Sequence, residues 1–500
     1  MIKQPKVIVV GLDGATWDLI KPLAVSGKLP TFNKLMKESA WGGLESTIPA
    51  TTFPAWESIF TGQNPGKLGV FNFTDVDVKR KKFSVNTPSS FDGMHISKIL
   101  NKYSYTTCMI NIPTSKVQKV DGVIVGGPFS DQNLVYPPDF KKVLDEMDYQ
   151  HYPGDLTKAF MDASNKEPSL DLIKKTISSR FKLADFMIEH NKPDFLALVV
   201  FIVDNIQHFY WSKELVYKTW EIIDENLGEF ISKYNDSTIV LVSDHGFTGF
   251  NKTFYLSKFL EKEDLITYKS RNTASSKYLF RIKRNNLINL ARKTGLDRLL
   301  LKLFSKKQLQ FLFSSFPSDE GRVGLKRLKN IIDWEHTKCV PMSGNIYFCC
   351  GESEKEGLKH MLRTRLEGLE GIVKKVHFKE DIYWGECLDR APDLVVEPEK
   401  GIRILESPFA DEMITKQTRK GWMGVHAPKG IFLFHGPNIR KTRADAKIYD
   451  IAPTILSLYG ICDTHEMDGK ILEEIVGSCN EKDVEKNRLK KRIRKIRNKI

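Results

Sequence analysis

Uninterrupted apolar segments separated by helical patterns fill the first 250 residues, and this alternation constrains the fold more than any other feature of the sequence. The segments expected to form strands are KVIVV (6–10), CMINI (108–112), GVIVGG (122–127), FLALVVFIV (195–203) and STIVLVSDHG (237–246). Between the last two, residues 213–234 carry apolar side chains at helical spacing. Strands without a polar face are buried on both sides, as in parallel sheets covered by helices. The sequence therefore predicts an α/β fold with a central, mostly parallel sheet flanked by helices.

The pattern changes from about residue 253, where basic, leucine-rich helical stretches such as LINLARKTGLDRLLLKLF begin. A small α+β unit is then predicted within residues 332–400. Its expected strands lie near 345–350 and 393–397, and its expected helix lies near 353–366. We interpret this region as an insertion that forms a cap.

The first pattern returns from Gly421. GIFLFHGP predicts a strand, and YDIAPTILSLYG predicts a helix that ends at a glycine. The sequence is therefore expected to form one α/β core in two parts, 1–252 and 421–480. The cap is expected at 253–420, between these parts, and a basic tail at 481–500 follows the core.

The composition is that of an ordinary globular protein, with 41% hydrophobic and 28% charged residues. The N-terminus has no apolar segment that ends in small residues, so no secretory signal is expected. The longest apolar run, at 195–203, is far shorter than the ~20 residues that span a bilayer. No transmembrane segment is therefore expected.

The cysteines indicate neither a disulfide framework nor a thiolate metal site, because their number is odd and no CxxC pair occurs. A cytoplasmic protein in a reducing environment is expected from this pattern. Any metal would then be bound by Asp, Glu or His side chains. The seven cysteines are Cys108, Cys339, Cys349, Cys350, Cys387, Cys462 and Cys479.

The C-terminal tail at 486–500 is strongly basic. It contains nine Lys or Arg residues and no acid, and so accounts for nine of the net +14 charges. Its apolar residues, Leu489, Ile493, Ile496 and Ile500, form one stripe of a helix. Such a helix could bind an anionic membrane surface or nucleic acid. A solvated helix or a frayed chain end explains the pattern equally well.

Side chains that can bind metal follow three of the expected strands. Asp13 lies in GLDG directly after the first strand, and Asp244 and His245 lie in SDHGF at the end of the last. Asp204 and His208 in DNIQH are four residues apart, and so share one face of a helical turn. Functional residues of α/β sheets gather at such strand ends. Taken singly, each motif is explained as well by a polar turn or a surface pair.

Two adjacent threonines, Thr51 and Thr52, precede a helix that has Pro54 in its first turn. In isolation the simpler explanation is that a threonine caps this helix. The order of all the motifs changes that interpretation. Four motifs follow one another along the chain: an acid at a strand end, a hydroxyl at a helix start, D-x-x-x-H, and D-H-G. A fifth motif, GVHAPKG, contains His426 and lies far downstream.

This arrangement resembles the alkaline phosphatase superfamily and, within it, the type I phosphodiesterase/nucleotide pyrophosphatase family. The resemblance covers residues 5–75, 194–250 and 421–472, and it extends to the closing stretch IYDIAPTILSLYG…HEMDG. It implies an alkaline-phosphatase-like core. It also implies a hydrolase that acts on a small-molecule phosphate ester or nucleotide.

The resemblance further implies two divalent metal ions, with zinc expected and manganese as the alternative. Asp204, His208 and His426 would bind one ion. Asp13, Asp244 and His245 would bind the other, with Thr52 beside it as nucleophile and additional ligand. Asn72 is the nearest match to a family asparagine that binds a phosphate oxygen, although its spacing from Thr52 is one residue off.

The implied chemistry explains these residue types. Imidazole and carboxylate bind Zn²⁺ well, and two ions about 4 Å apart can hold both the attacking and the leaving oxygen. A phosphothreonine intermediate on Thr52 is the expected mechanism. Thr51 is the competing nucleophile, but Thr52 directly precedes the Phe-Pro pair. The C/S-x-P-x-R motif of sulfatases is missing from TFPAW.

Two alternatives stay open. One is a phosphomonoesterase or phosphomutase on the same core. The other is a catalytically silent scaffold that binds membrane or nucleic acid through the tail.

Overall fold

A nine-stranded sheet forms the centre of the computed structural model, which describes residues 3–91, 93–130, 134–152, 167–269, 324–417, 422–479 and 489. Five of its strand pairs are parallel and three are antiparallel, so the predicted mostly parallel sheet is confirmed. In spatial order the strands are Ala446–Lys447, Ala40–Glu45, Lys429–His435, Thr238–Val242, Val7–Leu12, Phe195–Val200, Thr107–Ile112, Gly122–Gly126 and Val135–Tyr136.

The Val7–Leu12 strand lies in the middle of this sheet, and both of its neighbours run parallel to it. All six of its residues are buried. Val7 and Val9 pack into one hydrophobic core, and Ile8 and Val10 pack into a second core on the opposite face. A strand covered on both faces has no place for a polar side chain, which explains its apolar sequence.

Helices cover both faces of the sheet. One face carries Trp17–Val25, Pro30–Glu38, Lys141–Glu146, Leu170–Asn191, Ile202–Tyr210 and Glu214–Lys233. The other carries Thr52–Thr61, Ile96–Lys102, Ile451–Leu458 and Glu473–Val476. The expectation of one strand over 195–203 is wrong at its end, because the strand stops at Val200 and a helix begins at Ile202. An apolar run does not by itself distinguish a buried strand from the start of a buried helix.

The cap has its own hydrophobic core. Its antiparallel sheet has the strand order Cys339–Met342, Asn345–Phe348, Leu394–Pro398 and Val373–Phe378. The helix Glu352–Glu367 packs on this sheet, as the sequence predicted. A second sheet joins Ile402–Leu405, Lys252–Tyr255 and Ile414–Lys416. Other described elements of this region are the helices Leu256–Lys262, Leu325–Ile331 and Lys379–Ile382 and the 3₁₀ helix Leu388–Arg390. The hairpin Thr74–Asp77/Lys82–Val85, from the first part of the chain, packs Val76 into the same core.

Cys462 and Cys479 form a disulfide, which the cysteine pattern did not predict. They come together because the chain turns back after Ile451–Leu458 and packs the short helix Glu473–Val476 against the same face of the sheet. Five other cysteines are free thiols. The expectation of no disulfide is therefore wrong for this pair.

Several predictions concern residues outside the described ranges. They are the helical pattern LINLARKTGLDRLLLKLF and, apart from Leu489, the basic tail 486–500. The division of the chain at residues 252, 420 and 480 stays a prediction. Among the described helices, none combines the length and the apolar composition needed to cross a bilayer.

Candidate metal centre

The carboxyl ends of three adjacent parallel strands bring the predicted ligands together. Asp13 directly follows Val7–Leu12, and Asp244 and His245 follow Thr238–Val242 on one side of it. Asp204 lies in the first turn of the helix that follows Phe195–Val200 on the other side. Parallel neighbours end at the same edge of a sheet, so residues far apart in sequence meet there.

His426 reaches the same edge on a different element. It lies in the strand Gly424–Ala427, which pairs with Gly246–Gly249 directly after His245, and His426 is opposite Phe247. The second part of the core thus supplies a side chain to a site that the first part begins.

Asp204, His208 and His426 form one compact ligand set. The Nε2 atoms of both histidines lie 3.4 Å from Asp204 Oδ1. The two Nε2 atoms are 3.0 Å apart. The three ligand atoms therefore lie close enough together to bind a single ion, which is the arrangement that the family resemblance implies.

Asp13, Asp244 and His245 form the second set, and their ligand atoms lie within 4.8 Å of one another. His245 Nε2 is 3.1 Å from Asp244 Oδ2 and 3.8 Å from Asp13 Oδ1. The two sets adjoin, because the rings of His245 and His426 stack with centroids 3.6 Å apart. The structure also groups Asp204, His245 and His426 within 4.8 Å, so His245 borders both sets.

Thr52 lies beside the second set, with its Oγ1 3.4 Å from His245 Nε2. It is the first residue of the helix Thr52–Thr61, and Thr51 is the residue that precedes the helix. Thr51 makes no side-chain capping hydrogen bond. The cap position is thus occupied by Thr51, while Thr52 is already part of the helix and does not cap it. Its hydroxyl faces the ligand sets from a helix N-terminus, where the backbone N–H groups favour an anion.

Each of the three carboxylates has one oxygen that accepts a hydrogen bond and one buried oxygen that accepts none. Asp13 Oδ2 accepts from Trp56 Nε1 at 2.8 Å, and Asp244 Oδ1 accepts from the Gly14 N–H at 3.2 Å. Asp204 Oδ2 accepts from Asn205 Nδ2 at 3.3 Å. The oxygens without a partner are Asp13 Oδ1, Asp204 Oδ1 and Asp244 Oδ2. These are the three oxygens that face the histidine Nε2 atoms.

The three histidines are oriented in the same way. His208 Nδ1 lies 2.9 Å from the Gly424 carbonyl, and His426 Nδ1 lies 3.1 Å from the Ala50 carbonyl. His245 Nδ1 lies 3.0 Å from the Gly246 carbonyl. A carbonyl only accepts, so each Nδ1 carries the proton and each Nε2 keeps its lone pair. This outer arrangement is typical of metal-binding histidines.

The ionisation of these groups reflects their burial. Burial raises the pKa of Asp13 well above its ordinary range, and the nearby Asp244 and Asp204 raise it further. Burial also raises the pKa of Asp244 to about 7, against the opposing effect of His426. It lowers the pKa of His208 to about 4 and lowers that of His245 well below its ordinary value. Neutral imidazoles beside clustered carboxylates are suited to bind a cation.

Two groups depart from this pattern. Burial alone would raise the pKa of Asp204, but His208 and His426 beside it lower the pKa below the ordinary range. Burial alone would lower the pKa of His426, but Asp204 raises it. These two opposite shifts have the same cause, which is the closeness of the Asp204 carboxylate to the His426 ring.

The residues present fit a pair of divalent cations. Six side chains supply nitrogen and oxygen ligands, three per set, and the carboxylate oxygens without hydrogen bonds are otherwise costly to bury. Nitrogen and oxygen ligands in this number suit zinc and comparable divalent ions. When bound, such ions would supply the Lewis acidity that activates a hydroxyl or a water molecule.

Asn72 is buried, but its side chain is engaged elsewhere. Its Oδ1 accepts from the Phe73 N–H at 2.8 Å, and its Nδ2 donates to the Ser343 carbonyl of the cap at 3.5 Å. The predicted contact of Asn72 with a phosphate oxygen stays a prediction.

Two residues that support the site were not predicted from the sequence. Trp56 follows Thr52 by four residues and so lies on the same helix face, a spacing that could have indicated its role. Asn205 is adjacent to Asp204 inside the DNIQH motif, but nothing in the sequence pattern distinguishes it. It also accepts a hydrogen bond from the Tyr152 hydroxyl.

Comparison with known proteins identifies the family of the chain. The sequence model described as type I phosphodiesterase/nucleotide pyrophosphatase matches residues 7–322. No curated protein sequence matches the chain.

Similar solved structures include murine ectonucleotide pyrophosphatase/phosphodiesterase 5, which is 16% identical, with 91% of this chain and 94% of that chain covered and a TM-score of 0.51. An inactive threonine-to-alanine variant of the murine protein in complex with AMP has 15% identity, 91% and 95% coverage and a TM-score of 0.52. Phosphonoacetate hydrolase from Sinorhizobium meliloti in complex with phosphonoformate has 14% identity, 93% and 96% coverage and a TM-score of 0.53. At these identities the likeness shows a shared alkaline-phosphatase-like fold.

Proposed function

Since the chain belongs to the type I phosphodiesterase/nucleotide pyrophosphatase family and is a hydrolase of phosphoric esters, we propose that it cleaves phosphodiesters or nucleotide pyrophosphates at a two-metal site through a phosphothreonine intermediate. The observation that carries this proposal is the position of Thr52 Oγ1, 3.4 Å from His245 Nε2 and beside the two candidate ligand sets. Zinc is the proposed metal, with manganese as the alternative.

The chain's own residues supply most of the proposed chemistry. Thr52 Oγ1 gives up its proton and forms a bond to phosphorus while the bond from phosphorus to the leaving oxygen breaks, and the leaving oxygen takes up a proton. Water then attacks the phosphothreonine, breaks its P–Oγ1 bond, and releases the phosphate product and the Thr52 hydroxyl. The backbone N–H groups at the start of the Thr52–Thr61 helix favour the negative charge of the phosphoryl oxygens throughout. Bound cations would lower the pKa of the Thr52 hydroxyl.

The murine relative with AMP supports a nucleotide as one substrate class to test, and its inactive threonine variant supports a threonine nucleophile. A phosphomonoesterase or phosphomutase is the competing enzyme class. Hydrolysis of bis-p-nitrophenyl phosphate and of p-nitrophenyl phosphate by the full chain, with Zn²⁺ or Mn²⁺ supplied, separates the two. We expect the diester to be cleaved with the higher kcat/KM. A strong preference for the monoester would contradict the proposed diesterase.

The mechanism is tested by Thr52→Ala, with Thr51→Ala as the adjacent control. We expect Thr52→Ala to lose detectable turnover and to keep its metal content, because it removes the nucleophile and leaves both histidine–carboxylate sets intact. Thr51→Ala should keep turnover, since its side chain makes no capping bond. Near-normal activity of Thr52→Ala would rule out the covalent intermediate. Undetectable hydrolysis by the wild-type chain loaded with metal would favour the alternative of a catalytically silent scaffold that binds membrane or nucleic acid.

A further inference from the structure

The support of Asp204 extends beyond its immediate neighbour to a segment that carries no candidate ligand. Asn205 Nδ2 donates to Asp204 Oδ2 at 3.3 Å, and Asn205 Oδ1 accepts a hydrogen bond from the Tyr152 hydroxyl. The Tyr152 ring is half-buried, with its centre 6.2 Å from that of Phe201, the residue that precedes the Ile202–Tyr210 helix. Tyr152 therefore contacts the beginning of the helix that carries Asp204 through both its ring and its hydroxyl.

Tyr152 is held in place by Arg180, an arginine of the Leu170–Asn191 helix that is only 3% exposed. Its guanidinium donates to the backbone carbonyls of the two residues that precede Tyr152, at 2.8 Å to Gln150 and at 2.7 Å to His151. The donors of a guanidinium have a rigid, planar arrangement. These two bonds therefore fix the direction in which the chain enters Tyr152.

The surroundings of Arg180 offer its charge no acidic partner. Within the described residues, no carboxylate lies within ion-pair distance of the guanidinium, which instead lies over the Tyr149 ring, 4.5 Å from its centre. Burial of an unpaired charge costs free energy unless hydrogen bonds compensate for it. The ring and carbonyls of residues 149–151 supply that compensation, so the arginine and this segment hold each other in place.

Segment 149–152 has little freedom to shift. His151 Nδ1 lies 2.8 Å from the carbonyl of Gly126, the last residue of its strand. The cavity between Tyr152 and Arg180 measures about 10 Å³, which is room for one water molecule at most. The path from the guanidinium to the tyrosine hydroxyl is therefore closely packed.

The other ligand set does not use this support. Asp13 accepts its hydrogen bond from Trp56. Asp244 accepts its own from the backbone N–H of Gly14. Neither donor lies in segment 149–152, and neither makes a described hydrogen bond or ring contact with it. Loosening of this segment should therefore affect one cation and leave the other.

We propose that Tyr152 and Arg180 are positioning residues for the cation of the set that contains Asp204, and that they act through Asn205. Arg180 places the Tyr152 hydroxyl, which orients the Asn205 amide. That amide in turn holds Asp204 Oδ2 and leaves Oδ1 for the cation. The two cation sites then have separate supports, so one can be weakened without the other. This inference rests on the proposed two-metal function.

Titration of the metal-free full chain with Co²⁺, followed by visible absorption, tests this inference without turnover. We expect the wild-type chain to bind two ions. His208→Ala removes a ligand of the set that contains Asp204, and so identifies the step of the titration that belongs to this set. Tyr152→Phe should weaken that step about fivefold, because it loses one hydrogen bond and keeps the ring. The other step should keep its wild-type affinity.

A double-mutant cycle shows whether Tyr152 acts through Asn205. If it does, adding Tyr152→Phe to an Asn205→Ala chain should not change the affinity further, because the link to Asp204 is already broken. A role limited to packing would instead reduce the affinity by the same factor in both chains. That result would overturn the inference.

Arg180 is tested at the same step of the titration. Arg180→Met should weaken it about fivefold, and Arg180→Lys should weaken it less, because a lysine can still donate to one of the two carbonyls. Unfolding is followed in parallel. If Arg180→Met does not fold, Arg180→Lys and the cycle of Tyr152 with Asn205 decide the question.

Two tyrosine variants are the controls. Tyr234→Phe removes a hydroxyl that donates to Asp185 Oδ1 at 2.8 Å and makes no described contact with a candidate ligand. Tyr149→Phe keeps the ring beneath the Arg180 guanidinium and both of the carbonyl bonds. Both variants should keep the wild-type affinity at both steps.

Failure of this inference differs from failure of the proposed function. If Tyr152→Phe leaves both affinities unchanged, or weakens both equally, the inference is wrong while the two-metal site stands. If the wild-type chain does not bind two ions, the proposed two-metal function fails and the inference fails with it.

Discussion

Trp56→Phe tests whether the metal centre depends on the orientation of its buried carboxylates. The Trp56 indole is fully buried, and its Nε1 donates to Asp13 Oδ2 at 2.8 Å. Phenylalanine keeps most of the packing of the ring but removes this donor. Asp13 Oδ2 would then be buried without a partner, and the carboxylate would lose the contact that turns Oδ1 towards His245.

The magnitude follows from the kind of bond that is lost. A hydrogen bond to a charged group contributes about 1.5–3 kcal/mol. Since each 1.4 kcal/mol is about tenfold in affinity, Trp56→Phe should weaken metal binding by roughly 10- to 100-fold, as is usual for residues that support metal ligands. Burial raises the pKa of Asp13, and the Trp56 hydrogen bond opposes that rise. Without the bond, protons compete better with the cation, so the loss should be larger at pH 6 than at pH 8.

Metal affinity is measured by competition with a chromophoric chelator at both pH values, and unfolding is followed in parallel. Trp220→Phe is the matched control. It removes a donor from another fully buried tryptophan, whose Nε1 donates to Gln207 Oε1 at 3.3 Å and to no ligand carboxylate. Equal metal affinity of Trp56→Phe and Trp220→Phe, with both folded, would refute the reasoning.

Three further predictions concern other parts of the structure. Asn205→Ala removes the donor to Asp204 Oδ2 and should weaken metal binding about tenfold in a chelator assay. Tyr149→Phe should not, because the side-chain partner of the buried Tyr149 hydroxyl is Arg180, which is not a candidate metal ligand. Burial raises the pKa of Glu57 to about 8 from its ordinary 4.5, so its stabilising contribution is lost as the pH rises from about 5 to 8. Glu57→Gln should therefore gain stability relative to wild type by roughly 1 kcal/mol per pH unit over that range, measured by urea unfolding; a difference independent of pH would contradict the assignment. The disulfide joins residues 17 apart, so Cys462→Ser or added reductant should cost about 3 kcal/mol in unfolding free energy. No change with reductant would show that the bond does not form in solution.

The disulfide also bears on the predicted compartment. Cytoplasmic localisation was inferred from an odd number of cysteines without a recognisable pairing, and it stays a prediction. Disulfides persist mainly in oxidising compartments, so the reductant experiment tests the premise of that prediction directly.

The amino-acid sequence alone determined the class of fold, and it predicted the candidate metal ligands that the structure brings together. Buried strands such as Val7–Leu12 must be apolar throughout, so the α/β sheet can be predicted from local pattern. Asp13, Asp204 and Asp244 stand directly after such strands or within the next turn, and the family resemblance supplied His426 and the choice of Thr52 over Thr51. The ends of strands and helices were predicted less accurately, because the apolar run 195–203 contains both a strand and the start of a helix.

Only the tertiary structure decided how these residues are held. Local sequence does not specify which carboxylate oxygen accepts a hydrogen bond, because the donors, such as Trp56 and Gly14, come from other elements of the fold. The disulfide likewise depends on how the chain turns back after Ile451–Leu458. The order of parallel strands in the sheet brings Asp13, Asp204 and Asp244 to one edge, because neighbouring parallel strands end together.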